Sequence, residues 1–167
     1  MNSETLMGSL IFTAVSVLVI ALLIQLMMRG WRHRALRQAT LIGPLPAIPE
    51  TVGSAIVAPT DGMYVGSTLA PSWHDRVAVG DLGYRSKAVI TRYPAGIMLQ
   101  RSGASSIWIP QQSITGVHTQ RGMAGKVTTR DGILAIRWRL PSGTEIDTGF
   151  RGRDRDEYAR WLSESTA

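Results

Sequence analysis

Three histidines, His33, His74 and His118, are the residues of this chain best suited to metal or acid–base chemistry. A metal site needs two or three ligands that converge at a characteristic spacing. No such spacing joins these histidines, and the chain contains no Cys that could complete a set. We therefore expect no metal and no cofactor, and we expect each His to be a surface or core residue.

His74 and Asp75 would suit a hydrolytic triad if a Ser lay nearby. Neighbours in sequence seldom orient each other as triad members do, and no G-x-S-x-G nucleophile motif is present. The pattern therefore predicts a protein that is not an enzyme and has no small-molecule substrate.

A glycine-rich stretch at Gly122–Lys126 suggests a phosphate-binding loop. That motif requires G-x-x-x-x-G-K-[ST] between a strand and a helix. Here Gly122 and Gly125 are too close, Val127 follows the Lys, and no helical pattern comes after it. We interpret Arg121–Gly132 as a loop, of the kind that often carries binding residues.

Trp73 and Trp108 are the aromatic residues that most suggest binding. Trp108 lies between Ile107 and Ile109, so inward isoleucines would turn its indole outward by strand alternation. Aromatic side chains are enriched at binding hot spots. Alternatively, the preceding segment or a loop covers Trp108, and the sequence leaves both interpretations open. The candidate partner-binding surface is Trp73, His74, Arg76 and Trp108.

The element that would position this surface at a membrane is an N-terminal apolar run. About Leu6–Met28 carries no charge and is long enough, as a helix, to cross a hydrocarbon core of about 30 Å. The flank before it contains acidic Glu4 and no basic residue, and no small-residue cleavage site follows. These features favour an uncleaved, single-pass transmembrane anchor over a signal peptide.

Basic residues follow the apolar run and none precedes it. The positive-inside rule therefore predicts an N-terminus outside, a cytoplasmic C-terminal domain and a plasma (inner) membrane location. The bilayer is an expected partner, contacted at the interface by Arg29, Trp31, Arg32, Arg34 and Arg37. The formal net charge is +6, and the four arginines supply much of it. The remaining domain is only mildly basic, so we expect no nucleic-acid binding.

Downstream of the anchor (1–37), prolines at 44, 46 and 49 predict an extended spacer at 38–53 that holds the domain off the bilayer. The anchor helix is expected to end near Gln38. Residues 54–167 then show short apolar runs separated by turns, which is typical of an antiparallel β domain. The predicted strands are Gly62–Leu69, Lys87–Tyr93, Gly96–Arg101, Ser106–Ile109, Ile114–Gln120, Ile133–Leu140 and Thr144–Phe150, with a loop at Ala70–Ser86.

One hairpin has a register that the sequence predicts. Pro141–Gly143 reads as a three-residue loop with Gly143 in the left-handed conformation. Trp138 then lies opposite Ile146, and the flanking positions form two pairs of opposite charge, Arg137 with Asp147 and Arg139 with Glu145. A slip by one residue would bury these charges, so the register is well specified.

A short helix is predicted at about Arg155–Ser163. Asp154 and Glu157 have the spacing of a capping box, and Tyr158, Trp161 and Leu162 form an apolar stripe. Since so short a helix is unstable alone, we expect the stripe to lie against the sheet.

Seven strands followed by one helix with an inward Trp resemble the pleckstrin-homology (PH) fold. The segments Val89–Ile97 and Ile107–Val117 are similar to strands of bacterial PH-like domains. With the anchor and spacer, the chain resembles membrane-anchored PH-like proteins of actinobacteria. The resemblance implies a mostly-β PH-like barrel of seven antiparallel strands with a C-terminal capping helix. The loop at Ala70–Asp81 holds one Arg against two Asp, which departs from the phosphoinositide-binding pattern of PH domains.

The leading hypothesis is a membrane-anchored scaffold that docks a membrane-associated protein partner. The alternatives are a module that binds anionic lipid surfaces through its basic groups and, third, a small anchored enzyme. A fold by itself does not decide among these functions.

Overall fold

The computed structural model describes residues 3–127, 132–154 and 156–163, with the backbone only at 34, 35 and 126. Within this part the chain forms a long N-terminal helix α1 (Ser3–Ile42), a β domain, and a short C-terminal helix α2 (Tyr158–Ser163). The strands are β1 (Val57–Leu69), β2 (Ser86–Tyr93), β3 (Gly96–Arg101), β4 (Ile107–Pro110), β5 (Ile114–Gln120), β6 (Gly122–Met123), β7 (Lys126–Val127), β8 (Ile133–Arg139) and β9 (Glu145–Gly152).

Seven of the strands form one antiparallel sheet in the order β4-β3-β2-β1-β9-β8-β5. The first half of β1 pairs with β2 and its second half pairs with β9, so this long strand joins both halves of the sheet. A register shift between Tyr64 and Gly66 interrupts the β1–β9 ladder. The helix, the seven-stranded sheet and the terminal helix confirm the predicted fold class.

The predicted hairpin register is confirmed at each of its pairs. Trp138 lies opposite Ile146, with both charge pairs in place beside it. Gly143 has φ +89°, as the three-residue loop requires. Both Nε and Nη2 of Arg137 donate to Asp147, each at 2.8 Å. This hydrogen bonding raises the pKa of Arg137. Asp147 itself is buried, so this pair is partly desolvated and differs from an ordinary surface ion pair.

The core lies inside the barrel and is closed by α2. Trp138, Phe150 and Trp161 are fully buried, and Tyr158 is nearly so. The prediction that Trp161 points inward is therefore confirmed. The predicted capping box does not form, because α2 begins at Tyr158 and the Asp154 carboxylate accepts a hydrogen bond from the Asp156 amide in a preceding turn. Arg155, where the helix was predicted to begin, lies outside the described residues.

The predicted loop at Arg121–Gly132 contains a small hairpin, β6–β7, that lies on the outer face of the sheet. Met123 and Ala124 are buried there with Val65 and Ile133. Gly149 permits this packing, since a Cβ at that position would clash with the Met123 sulfur. Residues 128–131, including Arg130, lie outside the described part of the chain.

Candidate functional site

The last turn of α1 belongs to the β domain. Gln38 is only 6% exposed, and its Nε2 donates a hydrogen bond to the carbonyl of Arg76 at 3.1 Å. The Ala78 amide donates to the Gln38 Oε1 at 2.7 Å. One side chain of the helix thus holds the backbone of the β1–β2 loop on both sides of Val77.

The same turn enters the barrel core. Ile42 is 1% exposed and packs within the main hydrophobic cluster. The last carbonyls of a helix have no partner within the helix. Here the Leu41 carbonyl accepts hydrogen bonds from the hydroxyls of Ser142, at 2.5 Å, and Thr144, at 2.7 Å. The helix end is therefore bonded to both the β1–β2 loop and the β8–β9 turn.

The structure of residues 38–53 differs from the extended spacer that the sequence predicts. Its first residues are helical as far as Ile42, four residues beyond the expected helix end near Gln38. In the Pro-rich segment that follows, Leu45 is partly buried against the core. At its far end the Ile56 amide donates to the Arg92 carbonyl at 2.8 Å. Because Leu41 and Ile42 already fix the helix to the domain, the Pro-rich segment is not what spaces the domain from the apolar part of α1.

The far part of the β1–β2 loop is held by a partly buried ion pair. Arg101, whose side chain has no exposed surface, donates to the Asp81 carboxylate at 2.6 Å and to the Asp81 carbonyl at 2.9 Å. The Ser105 amide donates to the same carboxylate at 2.7 Å. Burial acts to raise the pKa of Asp81, but the hydrogen bonds from Ser105 and Arg101 outweigh it and lower the pKa. The ion pair joins this loop to the β3–β4 turn.

A buried hydrogen-bond chain supports the loop from below. The Tyr64 hydroxyl donates to the Leu82 carbonyl at 2.7 Å and contacts the Ser67 hydroxyl at 3.0 Å. Ser67 bonds to Thr148 at 3.0 Å, which also accepts from the Trp138 indole at 2.8 Å. Burial raises the pKa of Tyr64 to about 12. The loop is therefore bonded to the core as well as to α1.

Trp73 lies on the outside of this fixed loop and is 37% exposed. Its ring centroid lies 3.3 Å from that of His74, which is also exposed. The Trp73 carbonyl accepts a hydrogen bond from the Ala124 amide at 2.8 Å, which ties the loop to the β6–β7 hairpin. The two elements enclose a groove of about 320 Å³, here called the Trp73 groove, lined by Pro71, Trp73, Gln120, Arg121, Gly122 and Val127.

The barrel matches the model of a known protein family. The model of the family described as "Bacterial PH domain-like" matches residues 42–166. The chain belongs to the bacterial PH domain-like family. The match begins at Ile42, where the structure places the helix end inside the core, and it leaves out the apolar part of α1. No curated protein matches the chain.

The PH-like barrel does not bring the four candidate residues together. Trp73 and His74 are adjacent and exposed, whereas Arg76 turns back onto β1. The Arg76 Nη2 donates to the Val65 carbonyl at 3.2 Å, over Gly66. Arg76 therefore supports the loop from inside.

Trp108 is 4% exposed, so of the two interpretations that the sequence left open the structure supports the one with a covered indole. Strand alternation does separate it from Ile107 and Ile109, which lie in the core. However, Trp108 pairs with Met98, and its ring lies 6.5 Å from that of Tyr93. Gly96 leaves space for it, since a Cβ there would lie 2.9 Å from the indole. Neighbouring side chains on the outer face therefore bury the indole. Its strand β4 is also at the opposite edge of the sheet from β5, whose Gln120 lines the Trp73 groove.

The predicted interface residues Arg29, Trp31, Arg32 and Arg37 are exposed on α1, between the apolar part and the barrel. The side chain of Arg34 lies outside the described residues. In the part of the chain that the structure covers, α1 is one helix that is long and apolar enough to cross a membrane. Within those same residues, no three His, Asp or Glu side chains cluster as a metal site would require.

Sequence reasoning missed Gln38, Ile42 and Val127. Gln38 and Ile42 lie four positions apart on one helix face, which is a signal for a docked turn. Val127 is 71% exposed and lies in a hairpin too short to show a strand pattern. Its contribution to the groove depends on the contact between two loops, which no local pattern reveals.

Proposed function

We propose that this protein is a membrane-anchored docking module. In this proposal α1 crosses the plasma membrane, and the PH-like domain binds a membrane-associated protein on the cytoplasmic side through the Trp73 groove. The observation that carries the proposal is the bonding of Gln38 to the loop that bears Trp73. In this proposal the membrane helix and the binding loop are joined directly, by the two hydrogen bonds of Gln38.

The length of α1 supports a defined position for the groove. The helix continues from Arg29 to Ile42 after the apolar part ends. At 1.5 Å per residue this extension spans about 20 Å. The arginines along it favour a cytoplasmic location by the positive-inside rule. A partner whose binding surface lies at this distance from the membrane would contact Trp73 without the entropy cost of ordering a flexible linker.

The chemistry of the groove favours a protein partner. Trp73 and Val127 expose apolar surface next to Arg121 and Gln120. An exposed Trp on a rigid loop is a typical anchor of a protein interface. Membership in a PH-like family also favours a binding role over catalysis. This loop does not favour a phosphoinositide ligand, because Asp81 and Arg101 neutralise each other at its end.

Crosslinking in native membranes tests the proposal. A photoreactive side chain replaces Val127 in the full-length chain, and crosslinked proteins are identified by mass spectrometry. We expect W73A to reduce the yield of a specific adduct by more than about tenfold, as for an interface hot spot. The matched control is Y84A, which removes another exposed aromatic that does not line the groove, 55% exposed. An adduct that survives W73A, or that Y84A removes equally well, would contradict the proposal.

A further inference from the structure

A second groove, distinct from the Trp73 groove, lies across β2, β1 and β9. It has a volume of about 520 Å³, and its charged and polar lining includes Asp61, Lys87, Ser102, Arg151 and Arg153, with Met63 between them. We call it the basic groove. Gly62 and Gly152 line it as well.

Strand register places two cations on either side of Met63. Met63 pairs with Lys87 of β2 and with Arg151 of β9. Residues directly opposite in neighbouring strands share a face of the sheet, and the strands lie about 4.8 Å apart. The backbones of Lys87 and Arg151 are therefore roughly 10 Å apart, with the 37% exposed Met63 between them.

The cations of the basic groove lack acidic partners. Among the described residues, Lys87, Arg151 and Arg153 make no ion pair, whereas Arg101, Arg137 and Arg139 each pair with a carboxylate. Of the described residues that line the groove, Asp61 is the one with an acidic side chain. Three cations and one carboxylate leave a local excess of positive charge, which attracts anions and steers their approach.

We propose that the basic groove binds an acidic segment of a protein. Carboxylates of the segment pair with Lys87 on one side and with Arg151 and Arg153 on the other, and an apolar side chain of the segment covers Met63. The arginines are suited to this role because a guanidinium binds a carboxylate through two parallel hydrogen bonds.

The shape and position of the groove favour a protein segment over other anions. Small ligands usually bind in concave pockets that bury most of their surface. The basic groove is instead open along a sheet face. The end of α1 is bonded near Leu69, at the end of β1. Met63 is six residues earlier in the same strand, so about 20 Å of β1 separates the groove from that end of the barrel. This distance favours a soluble segment over headgroups of the bilayer that holds α1.

The test uses the full-length chain in nanodiscs of phosphatidylcholine, which adds no net charge. A phage library of random dodecapeptides is selected on these nanodiscs, and an enriched peptide is synthesised and titrated by fluorescence anisotropy. We expect enriched peptides to carry several Asp or Glu residues around an apolar one. R151E should weaken binding by roughly tenfold and K87E by several-fold, with stronger binding at low salt.

The matched control is R160E, which makes the same charge change on the exposed face of α2. It should alter the affinity by less than about twofold, because Arg160 does not line the basic groove and the charge of an exposed side chain is screened by salt. W73A should also leave the affinity unchanged, which separates this site from the Trp73 groove. R151Q provides a milder second variant, and the Trp fluorescence of each variant verifies that the barrel is folded.

Several outcomes would overturn the inference. Enriched peptides without acidic residues would exclude the charge pairing. Equal weakening of peptide binding by R160E and R151E would show that only the net charge of the domain matters. Displacement of the peptide by micromolar pyrophosphate would indicate a site for small anions, and preferential binding to phosphatidylserine vesicles would indicate a membrane site.

Discussion

Ile42 and Gln38 allow the junction between helix and barrel to be tested quantitatively. The substitution I42A removes three carbon atoms from a side chain that is 1% exposed. At about 0.8 kcal/mol per methylene, plus a cavity term, the free energy of unfolding of the barrel should fall by about 3 kcal/mol. Q38A removes two hydrogen bonds to the β1–β2 loop and should cost about 2 kcal/mol, because it leaves the Ala78 amide and the Arg76 carbonyl without this partner.

The assay is urea unfolding of the full-length chain in nanodiscs, followed by Trp fluorescence, with hydrogen exchange at the Ala78 amide. In Q38A this amide should exchange about tenfold faster or more, because its acceptor is lost. T40A is the control, since Thr40 lies in the same turn and is exposed. If I42A, Q38A and T40A unfolded alike, the helix end would not belong to the barrel, and the Pro-rich segment would be the tether after all.

Three further outcomes follow from the buried polar contacts and the helix end. Folded Tyr64 keeps its proton up to a pKa of about 12, so the unfolded chain binds fewer protons above pH 10. The unfolding free energy should therefore fall by about 2 kcal/mol between pH 10 and 12, and Y64F should remove this part of the slope in urea titrations. The lowered pKa of Asp81 adds stability that is present above its unfolded value of about 4 and lost as the pH falls toward the folded value. D81N should therefore flatten the acid limb of the stability curve and lower the free energy of unfolding by about 3 kcal/mol, because buried Arg101 loses its charge partner. A D81N chain that is as stable as the unsubstituted chain would refute this. A fragment 54–167 lacks Ile42 and should unfold at a urea concentration at least as low as that for the I42A chain; equal stability to the full-length chain would contradict the docking of the helix end.

Local pattern was sufficient for most of the secondary structure. The strand positions followed from alternation and turn residues, and the β8–β9 register followed from the loop length and the charge pairs. Trp161 was predicted to be inward because a short helix must bury an apolar stripe. These features depend on residues that are close in sequence, so their physics is already present in the pattern.

Trp108 shows where pattern fails. Alternation predicted the correct face of β4 but could not show what lies beside the indole. Tyr93, Gly96 and Met98 bury it, and their positions depend on the β3–β4 register. Exposure is therefore a property of the neighbours, and a strand pattern specifies only the side of the sheet.

The sequence by itself determined an apolar helix followed by a seven-stranded barrel with a terminal helix. Tertiary structure decided how the two parts connect, since Gln38 bonds to residues about forty positions away and Leu41 to residues more than a hundred away. It also decided which Trp remains accessible, through the contact of Trp73 with the β6–β7 hairpin. Such contacts depend on chain segments meeting after folding, when the closed barrel presents its loops to the helix end, and no local periodicity encodes them.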